Sequence, residues 1–387
     1  MISPSRPLIL IVDDSAVVRT LVRSAIDTEG TLQVAAAVGD GAAALKFLQT
    51  QAVSAVLLDL EMPVMGGLET LEHLRRDHPR LPVIVFSSLT ARGAQATIGA
   101  LERGAIECLE KPMTGGAELS RIIQEQLVPL VQEVLRTRAP ERRSPPPTTS
   151  TAQGGSPATA PAASEDSSPL TSTQFRQRLP TPAGVREPGP VDLLVIGSST
   201  GGPEALTQVL TALPADLAVP VLVVQHMPPV FTRTLAQRLD EKCALQVKEA
   251  QEGDVLVPGQ VYIAPGGKHM LIRKQVACHQ VRLTEDPPEN SCRPAVDPTL
   301  RSAAEHFGGG LMAVVLTGMG QDGALGCQRV KERGGRVYIQ DRESCVVWGM
   351  PGAVHALGCF DDVLPLASIA GTILRIVGRG ERANRRA

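Results

Sequence analysis

The chain of 387 residues reads as two α/β domains, each a mainly parallel sheet covered on both faces. Three observations predict this. Short apolar runs alternate with helical periodicity before residue 138 and again after residue 190. The stretch between is rich in Pro, Ser, Thr and Ala, with too few large apolar side chains to offset the entropy of ordering it. The length suits two domains of roughly 100 to 200 residues each.

In the first half, residues 8–12, 53–58 and 83–86 read as buried strands and 17–26, 42–49 and 68–77 as helices, with weaker strands near 32–38 and 106–109. In the second half the strands are 193–196, 219–224, 261–264, 311–316 and 337–339, and the helices 203–213, 231–239, 299–306 and 324–333, with antiparallel strands around 270–283. The expected boundaries are 1–135, a Pro/Ser/Thr-rich linker over 136–190, and 191–387.

Lys and Arg number 38 against 40 Asp and Glu, so no overall basic field exists to hold nucleic acid or an anionic membrane. Seven cysteines with no C-x-x-C argue against a disulfide scaffold and a zinc ribbon, which makes a reduced cytoplasmic protein the simplest reading. The N-terminal apolar run stops at Asp13 and Asp14, too short for a signal peptide, and no run approaches the ~18 residues of a membrane span.

Ligands of parallel α/β sheets gather beyond the carboxyl ends of the strands. Asp13 and Asp14 end the first strand, Asp59 the third and Ser87 the fourth, and Lys111 follows the fifth. Three converging carboxylates call for a hard cation, and an oxygen-rich site suits Mg²⁺. One Asp after a strand is more often a helix N-cap; five such residues at successive strand ends are harder to attribute to capping. The segments ILIVDDS, LLDLEMPVMGGL, FSSLT and EKP resemble a two-component receiver domain over roughly residues 7–130. The resemblance implies a flavodoxin-like (βα)5 fold, Asp59 as phosphoacceptor, Asp13, Asp14, Asp59 and the Glu61 carbonyl as Mg²⁺ ligands, and Ser87 with Lys111 as the switch pair. Gly66 replaces the Asp or Asn often found before Gly, and Cys108 replaces a common aromatic residue.

In the second half, Gly197-Ser198-Ser199-Thr200-Gly201-Gly202 follows a strand and precedes a helix. It fits G-x-S-x-G, a serine on a tight turn near backbone N–H groups, and equally a Gly-rich phosphate-binding loop. A serine nucleophile needs a base and an orienting acid. His226 and Asp322 both follow apolar strands at the expected sheet end, although a capping role suits either. The order Ser, His, Asp departs from that of α/β-hydrolases.

The segments GSSTGGPEA, VQHMPPVFTRTLAQRL, VYIAPGGKHM, RPAVD, VVLTGMGQDG and SCVVWGMPGAV resemble the catalytic domain of the CheB chemotaxis methylesterases over about residues 191–376. The resemblance implies a doubly wound sheet with a Ser199–His226–Asp322 triad, Thr200 and Met319 in the substrate and oxyanion region, and no cofactor for the ester reaction. It further implies hydrolysis of glutamate γ-methyl esters on chemoreceptor helices, deamidation of receptor glutamines, and phosphorylation by a histidine kinase. Cys292 stands where many relatives have His before R-P-S-V-D. Two alternatives are a response regulator with a non-catalytic phospholigand-binding output domain, and the same esterase acting on a protein outside chemotaxis.

Overall fold

The computed structural model describes residues 6–88, 91–112, 116–138 and 189–378. The stretch expected as a linker lies, from 139 to 188, outside the described residues.

The first sheet holds β1 (Leu8–Val12), β2 (Gln33–Val38), β3 (Ala55–Leu58), β4 (Val83–Ser88) and β5 (Glu107–Lys111), all parallel, in the order β2-β1-β3-β4-β5. Helices α1 (Ala16–Glu29), α2 (Gly41–Leu48), α3 (Gly67–Asp77) and α4 (Ala91–Glu102) connect successive strands. A last helix runs from α5 (Gly116–Ile122) through a π-helical turn (Ile123–Leu127) into α6 (Val128–Arg138). Side chains of β1 alternate between faces: Ile9 and Ile11 meet Val22, Ile26, Leu127 and Val131, whereas Leu10 and Val12 meet Leu48, Leu71 and Leu74. Both faces are covered, so the strand is a continuous apolar run.

The second sheet is built from β6 (Leu193–Ser198), β7 (Val221–Gln225), β8 (Gln246–Glu249) and β9 (Gln260–Ile263), followed after an antiparallel hairpin, β10 (His269–Lys274) and β11 (His279–Thr284), by β12 (Leu311–Val315), β13 (Arg336–Gln340) and β14 (Asp362–Leu364). Its seven strands are parallel, in the order β14-β13-β12-β6-β7-β9-β8. Leu194 and Ile196 share one core with α7 (Gly202–Thr211), α8 (Phe231–Lys242) and α12 (Leu366–Val377), and Leu193 and Val195 the other with α9 (Val296–Phe307), α10 (Ala324–Glu332) and α11 (Met350–Leu357). The chain winds outward from β6 first through β7 and later through β12, so the carboxyl ends of β12, β6 and β7 frame the crevice where such sheets hold ligands.

The strands and helices expected from sequence are present within a few residues of their expected ends. Helices α4 to α6, α11 and α12 and the short strands β8 and β14 were not expected. The last two lie at the sheet edges, where polar residues such as those of Gln246–Glu249 blur the apolar signal.

The two sheets meet in one compact unit. The carbonyl of Ile106, just before β5, accepts a hydrogen bond from the N–H of Gly201 (3.2 Å), and Glu102 of α4 pairs with Lys242 (2.6 Å) and Arg238 (3.3 Å) of α8. Partly exposed ion pairs of this kind contribute at most ~1 kcal/mol each, so packing and the backbone contact carry the junction. Removing the fully buried side chain of Ile196 (Ile196→Ala) is expected to cost about 2–5 kcal/mol by denaturant unfolding, whereas Val276→Ala, at a fully exposed position, should change stability by less than ~0.5 kcal/mol.

Candidate active site

Ser199 follows β6, His226 follows β7 and Asp322 lies between β12 and α10, so three adjacent strands bring the three expected residues to the same end of the sheet. His226 Nε2 lies 2.7 Å from Asp322 Oδ2. The same oxygen accepts the N–H of Val296 (2.6 Å), and Oδ1 accepts those of Asp297 (3.0 Å) and Gly323 (2.9 Å) and the amide of Asn290 (3.1 Å). Burial opposes charge on Asp322, but His226 and these N–H donors outweigh it and hold its pKa below the usual carboxylate range. Asp322 does not cap α10, whose N-cap is Gly323. Its carboxylate sits at the N-terminus of α9, where the helix dipole favours negative charge.

The serine is set by its loop. Gln225 donates to the carbonyls of Ser199 (2.9 Å) and His226 (3.3 Å) and accepts from Ser198 Oγ (2.7 Å), tying the two loops together. Gly318 passes directly beneath: a Cβ there would lie 2.9 Å from Ser199 Cβ and 2.3 Å from Met350 Sδ. Among the described residues, Ser199 Oγ makes no hydrogen bond to His226, and the imidazole Nδ1 instead contacts Cys292 Sγ at 3.4 Å. Burial works against a charge on His226, but Asp322 and Cys292 prevail and raise its pKa to about 10.

The first sheet reaches this site. Glu107, at the start of β5, lies beside Thr200, and burial raises its pKa although the Cys108 N–H, Thr200 and His226 oppose. Met319, Val346 and Val347 pack into the core that holds Ile84 and Ile106. At the other end of β5, Lys111 bridges Asp13 and Asp59, 2.7 Å from each. Asp13, Asp14 and Asp59 offer carboxylate oxygens within 4.8 Å of one another. Burial and Asp59 raise the pKa of Asp13 against the pull of Lys111. Ser87 Oγ is buried without a hydrogen-bond partner, a donor left for an incoming acceptor. Three clustered carboxylates and a spare hydroxyl fit a divalent cation with a phosphoryl group.

Sequence reasoning missed Gln225, Glu107, Asn290 and Asp297. Asn290 bridges Asp322 to Asp297 (3.1 Å to each), and burial with Asp322 nearby pushes Asp297 up to about 6. Only their place in strand-end loops hinted at a role. His269 is buried, with one ring nitrogen meeting the Pro287 carbonyl and the other the Ala295 N–H, so it is structural.

Residues 9–124 match the response regulator receiver domain, so the fold and the acidic site define a response regulator with a second, larger α/β domain. Residues 194–373 match the CheB methylesterase domain. The protein-glutamate methylesterase/protein-glutamine glutaminase of Trichodesmium erythraeum is 39% identical over 372 residues, covering 96% of this chain and 99% of that protein. The equally named protein of Azospirillum brasilense is 40% identical, covering 96% of this chain and 93% of that one. The crystal structure of the Thermotoga maritima CheB methylesterase catalytic domain is 46% identical, with a TM-score of 0.48, over 48% of this chain and 99% of that one. The chain belongs to the CheB methylesterase family.

The His226 imidazole faces Asp322, Cys292 and, at longer range, Glu107. Its pKa is raised above the 6.5 of an unfolded histidine, so its charge stabilises the fold fully below about pH 6.5, and that contribution is lost as pH rises through about 10. NMR titration of the His226 ring should give a midpoint well above that of a free histidine, and Cys292→Ala should lower it. An unchanged midpoint in the variant contradicts the assignment. Gly318→Ala should destabilise by about 1–3 kcal/mol in thermal unfolding.

Proposed function

We propose that this chain is a phosphorylation-controlled protein-glutamate methylesterase that removes methyl groups from glutamate γ-methyl esters of chemoreceptor cytoplasmic helices and deamidates receptor glutamines. The observation that carries this reading is the 2.7 Å contact between His226 and Asp322 at the strand ends that also present Ser199.

Asp322 holds Nε2, which leaves Nδ1 as the nitrogen that serves as base. In the neutral form of His226, a minor species below the raised pKa, Ser199 Oγ attacks the γ-carbonyl as its proton passes to Nδ1, and Asp322 stabilises the resulting imidazolium. Thr200 and Met319 line the substrate and oxyanion region. The imidazolium then protonates the departing methoxide, methanol leaves, and water activated by the same nitrogen hydrolyses the glutamyl ester on Ser199. Deamidation must protonate departing ammonia, a harder step, so esterase activity exceeds amidase activity. No cofactor enters the ester reaction.

Asp59 accepts the phosphoryl group from a histidine kinase. Asp13, Asp14, Asp59 and the Glu61 carbonyl would hold Mg²⁺, which when bound offsets the negative charge gathered there. Lys111 and Ser87 then turn to the phosphoryl oxygens. Glu107 and the Ile106 carbonyl lie on the serine loop, which supports inhibition by the unphosphorylated receiver; phosphorylation relieves it only by as much as it favours the open state. Among the described residues, no helix is long and apolar enough to cross a membrane; the proposed substrate, receptor cytoplasmic helices, places the reaction in the cytoplasm.

Ser199→Ala should lower methanol release from methylated receptors by on the order of 10⁶-fold without changing the unfolding midpoint. Release that persists would exclude the serine mechanism. Asp59→Asn should abolish stimulation by a phosphodonor, and deleting residues 1–190 should raise the basal rate. Equal basal rates for the fragment and the full chain would exclude inhibition by the receiver.

A further inference from the structure

We propose that Cys292 is a peroxide-reactive modification site on the base of this esterase, and that its oxidation to a sulfenic acid halts ester hydrolysis. The effect on hydrolysis rests on the reading given under Proposed function; the reactivity of the thiol does not.

The placement is specific. Cys292, His226 and Asp322 form a line in which Nε2 is taken by the carboxylate at 2.7 Å and Nδ1 faces the sulfur at 3.4 Å. Nδ1 is the nitrogen that Ser199 must use, so thiol and hydroxyl compete for one lone pair. The sulfur is also held in position. Asn290 and Ser291 adopt positive φ (51° and 63°), and Glu289 and Cys292 exchange two backbone hydrogen bonds (3.1 and 2.9 Å), a tight turn whose Asn290 amide also binds Asp322. Cys292 is partly exposed, as a reagent requires.

Peroxide reacts with the thiolate form of a cysteine, reached here when the thiol passes its proton to the facing Nδ1. The thiolate sulfur attacks one oxygen of hydrogen peroxide: the S–O bond forms, the O–O bond breaks, and the departing hydroxide takes the proton from His226 Nδ1 and leaves as water. Sulfur is oxidised by two electrons and the peroxide is reduced. The new S–OH group lies against Nδ1 as a hydrogen-bond donor and occupies the lone pair that Ser199 needs. Thiol reductants restore the sulfenic acid to the thiol.

The other thiols are poorer candidates. Burial pushes those of Cys108, Cys243, Cys327, Cys345 and Cys359 up, away from the thiolate. Among the described residues, Cys292 is the cysteine with a recorded imidazole contact.

The test treats the full chain with hydrogen peroxide, traps sulfenic acid with dimedone, locates the adduct by peptide mass spectrometry and follows methanol release in parallel. The expected result is labelling of Cys292 at least roughly ten times faster than of Cys278, slowed to the Cys278 rate by His226→Gln. Methanol release should fall in step with oxidation and return with dithiothreitol, and Cys292→Ala should release methanol and resist peroxide. Labelling of Cys292 no faster than of Cys278, labelling unaffected by His226→Gln, or full methanol release from oxidised protein overturns the proposal. If the untreated chain releases no methanol even with a phosphodonor present, the esterase reading fails, and the labelling rates still decide whether Cys292 is activated.

Discussion

The second domain is organised around one buried carboxylate. Asp322 is almost wholly shielded from water, and an ionised carboxylate in such a place is tolerated only if every oxygen is matched by donors. Five donors converge on it from three parts of the chain: the His226 ring after β7, the start of α9 with the Asn290 turn before it, and the start of α10. Holding the charge therefore fixes the imidazole, the loop that carries Cys292 and the entry of two helices at once. The negative charge is what stabilises a proton on His226, the species a serine hydrolase must form during attack. Stability and chemistry here share one group.

The receiver touches the serine loop through the start of β5, beside the packing of Met319, Val346 and Val347 against Ile84 and Ile106. Strand β5 carries Lys111, bound to the Asp13 and Asp59 carboxylates, at one end, and at the other Glu107, beside Thr200 of the serine loop and next to Ile106, whose carbonyl accepts the Gly201 N–H. The two are four residues apart, about 13 Å along an extended strand. A charge added to Asp59 must first compete for Lys111, so the first group it disturbs belongs to the element that touches the serine loop. The rest of the junction is apolar packing with partly exposed ion pairs between α4 and α8.

Both sheets were legible in the sequence because their central strands are buried on two faces and read as unbroken apolar runs. Ser199, His226, Asp322 and the receiver carboxylates Asp13, Asp14 and Asp59 stood out as candidates because each follows such a run, where sheet topology gathers ligands, whereas Lys111 closes the weaker fifth strand. The resemblance to known families then gave those positions their expected roles. What stayed hidden was the support. Gln225 looks like the polar end of a strand, Asn290 like a turn residue and Asp297 like a first-turn acid. Their value lies in partners more than twenty residues away, a relation that no local pattern encodes. Glu107 was hidden for a similar reason, since its neighbour Thr200 belongs to the other domain.

The claim that Ser199, His226 and Asp322 act as one nucleophilic unit is tested most directly by reaction with a fluorophosphonate probe, read by intact and peptide mass spectrometry on the chain freed of residues 1–190. The account predicts one adduct, on Ser199, formed on the order of 10⁴-fold more slowly in Asp322→Asn. An adduct on another residue, or equal labelling rates in parent and variant, would contradict it.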